Sequence, residues 1–73
     1  MRRNMRAERI RNGMTLEDVG RRIDVHPNAV SRWERGKSEP TISNLLSLCE
    51  LYGCSPEYLL DMTDDRRASA VAS

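Results

Sequence analysis

Apolar residues recur along this chain at helical spacing, in short runs broken by glycine, proline or a capping residue. No stretch keeps the alternating rhythm of a strand. The clearest case is residues 15–36, TLEDVGRRIDVHPNAVSRWERG. Thr15 offers a hydroxyl to the exposed amides of a helix start, and Asp18, three residues on, can reach back to it. The segment that follows, Leu16–Ile23, places Val19 and Ile23 on one face. After about three residues a second segment opens at Pro27, whose fixed φ and missing amide hydrogen suit a first helical position. It closes at Gly36, which readily takes the left-handed conformation that ends a helix. Val30 and Trp33 point one way along it. At about 100° per residue, Ser31, Arg32 and Arg35 lie within about 60° of Asn28 on the other side.

The same pattern predicts three more helices. One runs from Arg2 or Asn4 to Asn12, with Gly13 closing it and Met5 and Ile10 as its apolar residues. Another follows Pro40 and is capped by Thr41. Ile42, Leu45, Leu46, Leu48, Cys49 and Tyr52 form its wide apolar stripe, and Gly53 ends it. The last is capped by Ser55, has Pro56 at its first position and adds Tyr58, Leu59 and Leu60 to the core. Residues 1–61 therefore read as one all-α domain of five short helices, the economical answer for a chain of 73 residues. Apolar content falls after Asp61, and residues 62–73 read as a disordered tail, either a linker stub or simply an end.

Charge sharpens the picture. Residues 1–37 carry ten Arg and Lys against five acids, and residues 38–73 carry two Arg against six. A net charge of +1 thus hides a basic half and an acidic half, and the basic half holds the 15–36 stretch, where a polyanion would dock. Two readings fit the polar face of the Pro27 segment: a solvated helix, or one whose Asn and Arg bind base edges at two points. The arginines of the first helix likewise fit a solvated face or a general attraction for phosphate. No apolar run approaches the roughly 20 residues that span a bilayer, and MRRNMRAERI lacks the apolar centre of a signal peptide. A soluble, cytoplasmic chain is expected. Cys49 and Cys54 have neither zinc nor disulfide-framework spacing and read as reduced thiols near the core. The lone histidine, His26, completes no catalytic constellation, so no enzyme, cofactor, metal or small-molecule ligand is expected.

Arg9 with Gly13-Met14-Thr15, V-S-R-W-E-R-G-K at 30–37, Pro40, and L-Y-G-C-S-P-E-Y-L-L at 51–60 together resemble the Cro/phage-repressor (XRE-like) helix-turn-helix family over residues 5–61. The resemblance implies a lambda-repressor-like five-helix bundle whose second and third helices form the helix-turn-helix. It implies a sequence-specific regulator of transcription, a repressor of phage or mobile-element type, that binds a near-palindromic operator in double-stranded DNA as a weak homodimer. Asn28 and Arg32 would read bases in the major groove, flanked by Ser31, with Ala29 and Pro27 near thymine methyls. Arg35, Lys37, Ser38 and Thr41 would meet the sugar–phosphate backbone, with Glu39 repelling it if it faced the DNA. Arg9 would pair with Glu34 and tie the first helix to the third. The homodimer contact would be the fifth helix with Tyr58–Met62, a stretch equally readable as core.

Four positions depart from the family pattern. Gly20 stands where a very small residue, usually Ala, is wanted. Asp24 occupies a turn position usually held by Gly. His26 replaces a Ser or Thr cap and fits capping, plain exposure or a DNA contact. Leu16 replaces a phosphate-binding Gln, which leaves Thr15 and the amides of that helix start to meet a phosphate. The competing class is a protein-interaction module of the same fold, antitoxin-like or regulator-binding, that reads no bases.

Overall fold

Four of the five helices begin on an acceptor of their own. The computed structural model describes residues 1–67 and contains α1 (Arg3–Arg11), α2 (Leu16–Ile23), α3 (Pro27–Glu34), α4 (Ile42–Tyr52) and α5 (Pro56–Leu59), with no strand among the described residues. Thr15 and Asp18 close a reciprocal capping box at α2: the Asp18 amide donates to Thr15 Oγ1 at 3.0 Å and the Thr15 amide to Asp18 Oδ2 at 2.9 Å. Those bonds, the Thr15 amide's first, also hold the Asp18 carboxyl below its usual range. Thr41 Oγ1 accepts from Asn44 at 3.1 Å and Ser55 Oγ from Tyr58 at 3.1 Å.

α1 is the exception. Arg2 precedes it without capping it, and its first turn holds no acid. The missing acceptor comes from the far end of the domain: Asp61 Oδ2 and Oδ1 take the Arg3 and Asn4 amides, each at 3.0 Å. In return, Asn4 Nδ2 donates to the Tyr58 carbonyl at 2.7 Å and Arg2 Nη1 to the Leu60 carbonyl at 2.7 Å. The start of α1 and the end of α5 thus satisfy each other's orphan backbone groups.

Met5, Val19, Val30, Trp33, Leu48, Tyr52 and Leu59 form the buried core, at least one from every helix. Three residues expected in it face water. Ile10 is 52% exposed, Ile42 78% and Leu46 54%. About 100° per residue carries Ile10 to the far side of α1 from Met5, and Ile42 and Leu46 well past the Leu48–Tyr52 side of α4. The apolar stripe of α4 is therefore narrower than its composition suggests.

Within the stretch read as a tail, residues 62–67 are described, and one of them is held against the domain. Arg66 returns to the domain, where its carbonyl accepts from the Ser55 amide at 2.8 Å and its guanidinium donates to the Tyr52 carbonyl at 2.9 Å. A buried partner on α1 holds it there, described below. Residues 68–73 of that expected tail lie outside the described residues.

Candidate nucleic-acid interface

The angle at which α3 leaves α2 is set by two backbone features. Asp24 takes the left-handed conformation (φ 61°, ψ 51°), and the Val25 amide donates back to the Gly20 carbonyl at 2.9 Å. This folds Val25 and Pro27 directly over Gly20. A β-carbon at position 20 would lie 2.5 Å from the Val25 carbonyl oxygen and 3.3 Å from the Pro27 nitrogen. The close crossing admits glycine alone without a shift of backbone. His26 then caps α3 with a ring nitrogen: the Asn28 amide donates to His26 Nδ1 at 3.0 Å. Leu16 and Ile23 pack against the core from α2, and Leu16 is thereby committed to packing.

With Val30 and Trp33 buried beneath it, α3 turns Asn28 and Arg32 outward, both exposed. Ser31 and Pro27 are half-buried at the edge of that face, and Ala29 packs against the core cluster. Arg35, Lys37, Ser38 and Thr41 are exposed along the path from α3 to α4, as is Thr15 at the start of α2. Among the described residues, no hydrogen bond or ion pair engages the side chains of Asn28, Arg32, Arg35, Lys37 or Ser38. The Thr15 and Thr41 hydroxyls already serve as caps, which leaves them able to donate.

Behind the exposed face, Arg9 and Glu34 meet in a two-point ion pair. Arg9 Nε donates to Glu34 Oε2 at 2.7 Å and Nη2 to Oε1 at 3.0 Å, with Nη1 on the Met14 carbonyl at 3.0 Å. The side chains are 14% and 6% exposed, and the Glu34 bond raises the Arg9 pKa further. The pair fastens α3 to α1 and to the α1–α2 turn together. A second pair deals with the acid between α3 and α4. Both Glu39 carboxylate oxygens are bonded by the Arg2 guanidinium, so this carboxylate enters the loop already neutralised.

The third pair carried no sign at the level of motif. Glu8, 2% exposed, receives Arg66 Nη2 at 2.8 Å and Nε at 3.1 Å, with Arg11 at 3.4 Å. The Arg66 bonds keep its carboxyl below the ordinary range despite burial. One signal was present: Glu8 follows Met5 by three residues on the inward side of α1. Cys49 and Cys54 are half-buried free thiols; burial raises both, Cys54 to about 11, so neither is a ready nucleophile. Among the described residues no cluster of His, Cys, Asp and Glu could hold a metal ion, and no helix is long and apolar enough to cross a membrane.

A short helix held from behind, with a glycine-tight turn before it and free amide and guanidinium groups in front, defines a class. Residues 5–59 match the protein family described as Helix-turn-helix, and the chain belongs to that family. It is 39% identical over 56 residues to the Repressor protein C2 of Salmonella phage P22, covering 77% of this chain and 26% of that protein. It is 36% identical over 53 residues to the HTH-type transcriptional regulator DicA of Escherichia coli (strain K12), covering 73% of this chain and 39% of that one. The chain thus spans well under half the length of either relative. Among solved structures it resembles the P22 c2 repressor crystallised with the synthetic operator 9T in the presence of Tl+, with a TM-score of 0.76 and 37% identity over 81% of this chain and 89% of that one. The resemblance to Cro and phage repressors read from Arg9 through Leu60 is borne out, as is the five-helix fold.

Proposed function

We propose that this chain is the operator-reading part of a transcriptional regulator, a repressor of phage or mobile-element type. The observation that carries the reading is the outward pair Asn28 and Arg32, unpartnered among the described residues and presented by a helix whose opposite side is buried. An asparagine amide matches the N6/N7 edge of adenine, and a guanidinium the O6/N7 edge of guanine. Ser31 and Pro27 border that contact, with Ala29 offering no more than its methyl edge. Arg35, Lys37 and Ser38, with the hydroxyls of Thr41 and Thr15, supply phosphate contacts that fix the register and carry no sequence information. A protein with this role works beside the chromosome, in the cytoplasm.

One module of this kind buries only about 600–1,000 Å² on DNA, too little for a tight specific complex. Two copies on a near-palindrome, with half-sites about one turn apart, supply the rest. The Tyr58–Met62 stretch is the proposed contact between them. Leu59 is committed to the core there, and Met62, 71% exposed, is the side chain free to meet a second copy. Repression then follows from occupancy that excludes polymerase.

Selection from a randomised duplex library tests the reading. The expected outcome is a near-palindromic consensus whose complex weakens steeply as salt rises. A chain that enriches no sequence and binds random duplex at no salt concentration is an interaction module instead.

A further inference from the structure

The outward face of α1 is unlike an ordinary solvated helix. Arg3, Ala7 and Ile10 lie along its middle, opposite Met5, with Arg6 and Arg11 on the two flanks. Met1, 73% exposed, extends the apolar line, and together these side chains line an open groove of about 470 Å³. Arg3 and Arg6 have no ion-pair partner among the described residues, and Arg11 has only the 3.4 Å contact with Glu8. Arg11, in the last turn, complements the helix dipole, but Arg3 and Arg6 do not serve the helix. Its first turn holds no acid, and cations near a helix start oppose the macrodipole. A guanidinium fence around exposed aliphatic carbon is left without a purpose inside the molecule.

We propose that this face is a docking surface for an acidic amphipathic helix of a partner protein. Apolar residues of the partner would enter the groove over Ala7 and Ile10, and carboxylates on either side would meet Arg3, Arg6 and Arg11. Two observations favour an acidic peptide over nucleic acid. A phosphate track calls for cations and donors, whereas the middle of this face is apolar, with Ile10 52% exposed. The middle of the face, Ala7 and Ile10, also lies on the side of α1 away from Arg9, the residue that reaches Glu34, and only its Met1 end comes beside Gly36.

The test uses the full chain and a synthetic helix-forming peptide with leucines at i, i+3, i+4 and i+7 flanked by glutamates. A second peptide carries lysines in place of the glutamates. The expected result is that the acidic peptide alone binds and shifts the amide resonances of residues 3–11. Arg3→Glu with Arg6→Glu weakens that binding about tenfold or more, leaves affinity for duplex DNA within error and does not lower the thermal midpoint. The milder pair Arg3→Gln with Arg6→Gln keeps the helix under any outcome and weakens the peptide about threefold. Equal binding of both peptides, or none, overturns the proposal. A loss of duplex affinity in the charge-reversed chain assigns the face to DNA. A concentration-dependent dimer abolished by the same substitutions assigns it to a second copy. Either result replaces the partner proposed here.

Discussion

Glu8 and Arg66, 58 positions apart, share a two-point ion pair in which the carboxylate is buried and the guanidinium partly open to water. The acid therefore depends on a residue beyond the last helix. Its carboxyl is held below the ordinary 4.5 first by the Arg66 hydrogen bonds. A depressed carboxyl contributes stability that is fully present above its unfolded value and is lost as pH falls through the lower folded value.

Arg66→Ala should therefore destabilise the fold most at neutral pH, where it leaves the buried Glu8 charge with only the longer Arg11 contact among its cations. The gap to the unsubstituted chain should close in acid, once Glu8 is protonated in both. Urea midpoints at pH 7 and pH 3 measure it, and a gap that widens in acid contradicts the account.

Gly20→Ala tests the crossing of α2 and α3. Helix propensity alone favours alanine by up to about 1 kcal/mol. The 2.5 Å approach of a β-carbon to the Val25 carbonyl opposes it. Overpacking against backbone costs about 1–3 kcal/mol, so the net effect should be a loss. Chemical denaturation decides; a gain in stability would mean that the turn yields without cost.

The Arg9–Glu34 pair should behave as a buried unit. Glu34→Gln or Arg9→Met alone should cost about 3–5 kcal/mol, because each strands a desolvated partner. The double variant Arg9→Met with Glu34→Met should recover much of that loss. Additive losses in this cycle would remove the coupling between α1 and α3.

Base and phosphate contacts differ in their signatures. Arg32→Ala should cost about 1–3 kcal/mol on the selected site and relax preference at one base pair. Lys37→Ala should weaken every duplex alike and reduce the salt slope by about one unit. Binding isotherms on matched and mismatched duplexes at several salt concentrations separate the two.

What was legible in the residues was local. The Thr15, Thr41 and Ser55 caps, the prolines opening α3 and α5 and the glycine closing α4 each act within a few residues, so spacing reveals them. The outward placement of Asn28 and Arg32 follows from counting around a helix anchored by Val30 and Trp33. Pairing at a distance left no such mark. Asp61 on the α1 amides, Arg2 on Glu39 and Arg66 on Glu8 each join residues tens of positions apart. The Arg9–Glu34 pairing was anticipated from family resemblance and not from spacing. Ile10, Ile42 and Leu46 misled because apolar type alone does not say which side of a helix faces inward.

The exchange between Asp61 and the first amides of α1 bears on how the chain is made. A nascent polypeptide that has emerged only through α4 has no acceptor for the opening turn of its first helix, nor an Arg66 for Glu8. These contacts form only once residues 61–66 are free of the ribosome, so the last residues described complete the first helix.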